Sequence, residues 1–352
     1  MRVRFEFLAA AILVSAAPAV ALAQAPASAK ASPQAPASAA KPGPDDSFYS
    51  RSLHFTNRGL IYNYDRGLRR LTGLPAERIG CAKASCHVKS CDACHKVEAS
   101  GKASYSAQQA KSQKACEPCH GAPDPNDTDV HVRRGMTCLD CHGAHDIHGD
   151  GTPYDSEWQA GAIEARCENC HKDLSKTPSH TLHRGTVDCS ACHVSQIRAC
   201  FNCHIDSRLA GVSDASIRHD GAVYLVNYGG RVRLANLLTF VYRSGTAITV
   251  APAFGHKISR LGRGCAECHG TANVKAVAAG TFVLSSFEGG ELRTATGVIP
   301  VSDPASWRIA WLGREAGRWV PIARPLAPMV AFSGYSSPLT RDQIARLTAD
   351  RK

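Results

Sequence analysis

The sequence predicts a mainly α-helical and irregular fold that is packed around bound groups, with a β-rich insertion at about 222–254 and a β-rich C-terminal region. Aromatic residues make up only 7% of the 352 residues, so side chains alone would give a thin core. The chain also contains 16 Cys and 16 His, and this cysteine usage is far above the ordinary level. These proportions exclude a collagen, a coiled coil and a polytopic membrane protein.

The N-terminal residues have the pattern of an export signal followed by a linker. Residues 1–23 combine Arg2 and Arg4 with an apolar run and an A-x-A cleavage pattern that ends at Ala23. Residues 24–46 are mostly Ala, Pro, Ser and Lys, and they bury too little apolar surface to order themselves, which predicts a disordered linker. We therefore expect a periplasmic, secreted or extracellular protein without a membrane span after signal removal.

Helical periodicity comes first along the remaining chain, and strand-like segments follow. Residues 47–80 space their leucines as a helix does, and Gly73 marks the end of that pattern. Residues 222–254 contain three strand-like runs, with Gly229-Gly230 and Ser244-Gly245 as the turns between them. The insertion thus interrupts a domain predicted to span residues 47–270.

Residues 271–352 contain neither Cys nor His and form a separate predicted region. The runs Thr281–Leu284 and Leu292–Ile299 predict a hairpin, and three Trp residues predict a small conventional core. Thr340 and Gln343 have the spacing of a capping box that begins a short terminal helix. The β-rich parts either cover the bound groups or dock a partner or sister subunit, and we favour a cover.

Every cysteine belongs to a pair whose second member is followed directly by a histidine. Seven of these motifs have the spacing CxxCH, namely Cys91/Cys94/His95, Cys116/Cys119/His120, Cys138/Cys141/His142, Cys167/Cys170/His171, Cys189/Cys192/His193, Cys200/Cys203/His204 and Cys265/Cys268/His269. The eighth motif, Cys81/Cys86/His87, has the longer spacing CxxxxCH.

The CxxCH spacing is the attachment signature of c-type haem. Two thiols form thioethers with the two vinyl groups on one edge of the porphyrin, and the following histidine binds the iron as its proximal ligand. Disulfides, zinc sites and a thioredoxin-like motif are the alternatives, but none of them explains a histidine after every second cysteine. For Cys81 and Cys86 a local disulfide remains an alternative, because two extra residues lengthen the loop.

On these eight motifs the chain resembles the octahaem members of the multihaem c-type cytochromes. The motifs extend from Cys81 to His269 and cover just over half of the chain. The resemblance implies eight covalently attached haems within the predicted domain at 47–270.

The histidines outside the motifs are as numerous as the motifs themselves. They are His54, His131, His145, His148, His180, His183, His219 and His256. This equality favours bis-histidine ligation of every haem, which gives generally low reduction potentials. A surface role for one or two of them is the alternative. Met136 is interpreted as a packing residue rather than as a ligand.

The basic charge balance does not indicate a nucleic-acid partner. The formal net charge of +11 falls to roughly +2 once the export signal is removed and eight oxidised haems with ionised propionates are added. The basic residues are scattered, and no groove-reading motif occurs. Asp124, Asp127 and Asp129 do not have calcium-loop spacing, so we interpret them as a solvated loop.

The sequence therefore favours an exported protein that relays electrons through closely spaced, mostly bis-His haems in anaerobic respiration. The expected partners are a quinol-linked donor and a terminal reductase or an extracellular acceptor, and self-assembly is a further hypothesis. The alternative is an octahaem oxidoreductase that acts on hydroxylamine, nitrite or tetrathionate at one haem with an open distal site. No CxxCK motif marks such a haem, so an enzyme is the less favoured hypothesis and no catalytic residue is nominated.

Overall fold

A computed structural model describes residues 48–79, 88–122, 129–195, 197 and 199–350. The predicted signal peptide and linker, the Cys81/Cys86/His87 motif, and Asp124 and Asp127 lie outside the described residues. All described residues belong to one compact unit.

Short helices are spread along the described chain. The α-helices are α1 (Leu53–Thr56), α2 (Arg58–Arg66), α3 (Leu68–Thr72), α4 (Ala76–Ile79), α5 (Asp92–His95), α6 (Ala107–Ala110), α7 (Glu117–His120), α8 (Ala144–His148), α9 (Pro178–His183), α10 (Cys189–His193), α11 (Ile205–Leu209), α12 (Cys265–Cys268), α13 (Ala272–Ala278) and α14 (Arg341–Thr348). Turns of 3-10 helix lie at Phe48–Arg51, Gln113–Ala115, Val132–Arg134, Cys138–Asp140, Cys167–Asn169 and Pro304–Ser306.

The helical segment near the start is broken into α1–α4. Asn57 and Gly73 have left-handed backbone angles, with φ of 56° and 70°, and a right-handed helix cannot continue through them. At the other end of the chain, Thr340 and Gln343 form the predicted capping box of α14, which confirms that prediction.

The strands are concentrated after residue 198. They are β1 (Lys96–Ala99), β2 (Lys102–Tyr105), β3 (Ala199–His204), β4 (Ile217–Arg218), β5 (Ala222–Tyr228), β6 (Arg231–Tyr242), β7 (Gly245–Pro252), β8 (Ser285–Glu288), β9 (Glu291–Thr294), β10 (Gly297–Pro300), β11 (Leu312–Glu315), β12 (Arg318–Pro321), β13 (Met329–Phe332) and β14 (Ser336–Ser337).

One eight-stranded sheet joins the insertion to the C-terminal region. The order β10-β5-β6-β3-β4 forms its main path, β7 pairs with β6, and β13 and β14 pair with β7 and β5. The antiparallel pairs β5-β6 and β6-β7 coincide with the three strand-like runs of the sequence. The domain boundary expected near residue 270 therefore divides this sheet. Strand β10, which follows the boundary, pairs in parallel with β5, which precedes it.

One turn and the strand bounds of one hairpin differ from the sequence-based expectation. The β6-β7 turn consists of Arg243 and Ser244, while Gly245 is already paired with Tyr242. A side chain at position 245 would lie 3.1 Å from the Leu71 methyl, so the glycine allows α3 to approach the sheet. The C-terminal hairpin turns at Gly289-Gly290 as expected, but its strands are β8 and β9 rather than residues 281–284 and 292–299, and β10 leaves it to join β5.

The apolar core lies in and around the sheet. Fully buried side chains include Phe201, Tyr224 and Leu234, and Trp307 and Trp311 pack on the same cluster. Between Val88 and Thr186, by contrast, the buried apolar side chains among the described residues are only Trp158 and Ala162. The side-chain core is thus separate from the stretch that carries the first four CxxCH motifs. Within the described ranges, no helix has the length and apolarity that a membrane span requires.

Candidate haem sites

Six of the described CxxCH motifs fold as a single helical turn. The backbone N–H of the motif histidine donates to the carbonyl of the first cysteine at 2.8–3.0 Å in the motifs that end at His95, His120, His142, His171 and His269. The motif that ends at His193 lies within α10. A turn of this kind places both thiols and the imidazole on neighbouring positions, as thioether attachment and proximal ligation require.

The motif Cys200/Cys203/His204 differs because it lies in strand β3. Phe201 and Asn202 are fully buried, and Asn202 has a left-handed φ of 50°. The Asn202 backbone donates to Thr239 Oγ1 at 2.8 Å, and its side-chain oxygen accepts from Leu312 N at 3.0 Å. The two residues between the cysteines are therefore part of the β core.

Cys203 lies in a strand, unlike the second cysteines of the other described motifs. Its half-buried side chain packs against the apolar cluster that includes Tyr64, Ile205 and Phe240. Its backbone is paired with Phe240 of β6, and the strand register shifts between Cys200 and Cys203. The intervening residues enter the sheet, which replaces the helical turn with a strand. Haem attachment at Cys200 and Cys203 stays a prediction.

The structure pairs six motif histidines with six of the predicted distal histidines. The ring centroids lie 6.0–6.3 Å apart in the pairs His95–His148, His120–His54, His142–His256, His171–His131, His193–His180 and His269–His183. Each pair joins one proximal candidate to one distal candidate. Five of the pairs join residues at least 40 positions apart, so the fold brings these partners together, whereas His180 and His193 are 13 residues apart.

The spacing within these pairs fits an iron atom between the rings. A metal–imidazole bond is about 2.0–2.1 Å long. Because the ring centre lies about 1.1 Å behind the bonded nitrogen, two rings on opposite sides of one iron have centroids about 6.3 Å apart. Direct ring stacking brings centroids much closer, as in the Trp158–Phe254 pair at 3.6 Å. The histidine pairs therefore leave room for a metal centre.

Hydrogen bonds at Nδ1 leave Nε2 available in several of these rings. Nδ1 lies 2.9–3.1 Å from a backbone carbonyl oxygen at His180, His183, His193 and His269. At His142 the acceptor is the buried carboxylate of Asp146, at 3.0 Å. A metal-binding histidine commonly holds its other nitrogen in this way, which fixes the tautomer and the ring orientation.

The six helical motifs follow one another in a line. Thiols of consecutive motifs lie close enough for one of them to raise the pKa of the other, in the order Cys94–Cys119, Cys116–Cys138, Cys141–Cys170, Cys167–Cys189 and Cys192–Cys268. The Cys167 thiol is hydrogen-bonded to Cys189, and this bond together with burial raises the pKa of Cys167. We call this arrangement the six-site line and name each site by its motif histidine.

His54 shows how closely the sites pack. Burial, followed by the neighbouring His120, lowers the pKa of His54, and His148 and His142 of the adjoining sites act in the same direction. His54 therefore lies close to histidines of three different sites.

Two predicted distal histidines are not paired with a motif histidine among the described residues. His145 lies among carboxylates, with Nδ1 3.5 Å from Asp146 and Nε2 3.6 Å from Asp150. His219 is 4% exposed, and its ring centroid lies 4.5 Å from that of Phe201 within the β core. Burial lowers the pKa of His219, and its Nδ1 contacts the Tyr224 hydroxyl at 3.3 Å.

The remaining proximal candidate in the described chain, His204, has a different hydrogen-bonding role. Its Nδ1 accepts from the Ser207 backbone N–H at 3.4 Å, so the ring caps α11. The six-site line bypasses this motif and runs from the His193 site directly to the His269 site.

Three charged residues near the sites were not identified from the sequence. Asp146 lies four residues after His142, a spacing that places two side chains on one helical face. Asp129 holds two backbone segments together, since it accepts from His131 N at 2.7 Å and from Ile258 N at 2.8 Å. This buried role replaces the solvated-loop interpretation of Asp129. Arg263 donates to the Ala191 and Val194 carbonyls at 2.7 and 2.5 Å.

The cysteines of the described ranges form no disulfide, and no group of three or more His, Cys, Asp or Glu side chains in those ranges is arranged to hold a metal ion. The pairs themselves each offer two imidazoles, and a c-type haem supplies the remaining ligands of its iron. The residues present therefore fit haem better than a protein-only metal site.

Comparison with known proteins gives one local similarity. The chain is 26% identical over 88 residues to dissimilatory sulfite reductase MccA of Wolinella succinogenes, a match that covers 21% of this chain and 12% of the relative. The chain thus matches only a small part of the relative's length. No family model and no solved structure matches the chain. The local similarity agrees with the coarse class of multihaem c-type cytochromes that the motifs indicate.

Proposed function

We propose that this protein is an exported octahaem c-type cytochrome that relays electrons between a quinol-linked donor and a terminal reductase or extracellular acceptor. The observation that carries the proposal is the set of six proximal–distal histidine pairs at 6.0–6.3 Å. Periplasmic or extracellular location and self-assembly belong to the same proposal, and they rest on the sequence alone.

The chain's own residues support a conduit in three ways. The CxxCH cysteines would attach the haems, and each histidine pair would fill both axial positions and so exclude substrate from the iron. Bound haem would supply one-electron oxidation and reduction at each site. The contacts between consecutive motifs favour close spacing, because neighbouring thiols mark neighbouring porphyrin edges.

Intact-mass measurement of the denatured, exported protein tests this proposal. Eight covalent haems add roughly 5 kDa to the polypeptide mass. Seven adducts would show that one motif carries no haem, and peptide mapping would identify which. The strand backbone of Cys200–His204 makes this motif the first to map. A polypeptide without adducts would refute the proposal.

A second candidate function is an octahaem oxidoreductase with one haem whose distal position is not held by histidine. His219 supports this candidate, because its ring is packed on Phe201 in the β core. His145 is then the remaining distal candidate for two motifs, those that end at His87 and His204. One of these two haems would lack a second histidine and would accept a small ligand.

Because the local similarity is to a sulfite reductase, sulfur oxyanions are the first substrates to test. Nitrogen oxyanions and hydroxylamine are the second. Oxidation of the chemically reduced holoprotein by sulfite, nitrite or hydroxylamine tests this candidate. Turnover with any of them supports an enzyme, and the absence of turnover with all three supports the conduit.

A further inference from the structure

Two buried or half-buried charges of opposite sign lie at different positions on the six-site line. Asp146 contacts Nδ1 of His142 in the third site of the line, and Arg263 lies against the backbone of the His193 motif, two residues before Cys265 of the last motif. Their surroundings show that both charges are held in place.

The Asp146 carboxylate is fixed by four contacts. It accepts from Glu164 N at 2.7 Å and Ala165 N at 3.3 Å, and it contacts Nδ1 of His142 at 3.0 Å and of His145 at 3.5 Å. Its side chain is only 2% exposed. Two backbone N–H groups donate to this buried carboxylate, and donors of this kind stabilise its charged form.

A buried carboxylate on Nδ1 makes an imidazole a stronger electron donor to its metal. It therefore stabilises the ferric over the ferrous state and lowers the reduction potential of that site. At the His193 and His269 sites the Nδ1 acceptors are neutral carbonyls, those of Ser259 and Arg346.

The Arg263 guanidinium acts in the opposite direction at the end of the line. It is anchored on the carbonyls of Ala191 and Val194. Its Nη1 also lies 3.5 Å from the Cys192 carbonyl oxygen, to which its backbone N–H donates at 3.1 Å. Arg263 therefore lies beside the attachment cysteines of the His193 site, and it precedes Cys265 of the His269 site by two residues. A fixed positive charge in this position favours the more negative, reduced state of each site.

We propose that Asp146 and Arg263 grade the reduction potential along the six-site line, so that it is low at the His142 site and higher at the His193 and His269 sites. The inference rests on the proposed haem attachment. An electron that passes from the third site toward Cys265–His269 then moves to higher potential, which directs transfer toward that end of the line. Asp146 and Arg263 are positioning residues, because they act through the ligands and attachment cysteines.

Redox titration of the purified holoprotein, followed by haem absorbance, tests the gradient. Asp146→Asn should weaken the preference of one haem for the ferric state about tenfold. The reduction potential of that component then rises by about 59 mV for one electron. Arg263→Gln should move two components to lower potential. The other components should keep their positions.

Matched controls separate a specific contact from a general change of charge. Asp140→Asn removes the same charge from the same motif, but Asp140 is exposed and caps the turn at Thr137. Arg260→Gln removes an exposed positive charge three residues before Arg263. A shift in Asp146→Asn no larger than that of Asp140→Asn would overturn the inference, as would a shift in Arg263→Gln no larger than that of Arg260→Gln.

A ligand variant keeps the inference testable if Asp146→Asn does not fold. His256→Met should displace the component that belongs to the His142 site. In the wild type that component must lie below the two components that respond to Arg263→Gln, and a higher position would overturn the inference. Haem loading, measured by mass, distinguishes this result from failure of the proposed function.

Discussion

Replacement of His183 by methionine tests one histidine pair in detail. His183 ends α9, its ring centroid lies 6.0 Å from that of His269, and its Nδ1 donates to Ser179 O at 3.0 Å. Methionine has a similar reach but offers a thioether instead of an imidazole nitrogen. The loss of one half-exposed hydrogen bond costs about 0.5–1.5 kcal/mol, so the fold should be retained.

The expected effect is a rise in the reduction potential of a single haem. Axial ligands set haem potentials over a range of roughly 0.8 V, and exchange of histidine for methionine accounts for a shift on the order of 0.1 V. Titration of the His183→Met holoprotein should therefore show one component displaced upward and the rest unchanged.

His219→Gln provides the contrast, because His219 lies in the β core and not in a pair. This change should leave every haem potential in place while it lowers the free energy of unfolding by about 1–3 kcal/mol, since Tyr224 loses a buried partner. If His183→Met displaced no component, the assignment of the His183–His269 pair would be wrong. If His219→Gln displaced one, the placement of His219 outside the ligand set would be wrong.

Three further predictions concern spectra, core packing and pH. The ring planes cross at 67° and 63° at the His120 and His171 sites but at 22–34° at three others, so EPR should resolve two strongly anisotropic low-spin haems, and a single rhombic class would contradict these angles. Phe201→Ala should lower the free energy of unfolding by about 3–5 kcal/mol in denaturant titrations, because the ring is fully buried, and a loss under 1 kcal/mol would argue against a core role. Burial raises the pKa of Tyr49 to about 12 and favours its neutral form, so the stability that this residue contributes is complete below about pH 10 and is lost as pH rises through 12. Wild type should therefore lose stability relative to Tyr49→Phe over that range, and the opposite trend would contradict the assignment.

The sequence identifies the proximal histidines but not their partners. A motif histidine is found by its position after the second cysteine, which is a local property. The pair His142–His256 joins residues on opposite sides of the β insertion, and the Ile258 N–H, two residues after His256, donates to the distant Asp129. No local pattern encodes such a contact.

The motif at Cys200–His204 differs from the other motifs in the residues between its cysteines, and the CxxCH spacing does not show this difference. Its two intervening residues are Phe and Asn, whereas the other described motifs have small, polar or single aliphatic residues there. Phe201 is apolar enough to be taken into the sheet, which turns Cys203 toward an apolar cluster and away from the arrangement of the other motifs. The number of histidines likewise does not distinguish His219 from the other distal candidates, because its burial against Phe201 is decided by the fold.

The β-rich parts were visible in the sequence as strands but not as one sheet. The runs that become β5, β6 and β7 are rich in apolar and β-branched residues, and Gly229-Gly230 closes the first hairpin with positive φ angles. The parallel pairs β10-β5 and β13-β7 connect segments more than 70 residues apart. Parallel pairing of short strands is decided by tertiary packing, so the sequence alone divided the sheet near residue 270.

Low-temperature EPR spin quantitation of the oxidised, fully loaded protein tests the central claim most directly. Six histidine pairs at the spacing of a shared iron predict at least six low-spin ferric haems for each chain. Fewer than six low-spin haems, with the remainder high-spin, would contradict the account, because the paired rings would then not be ligands.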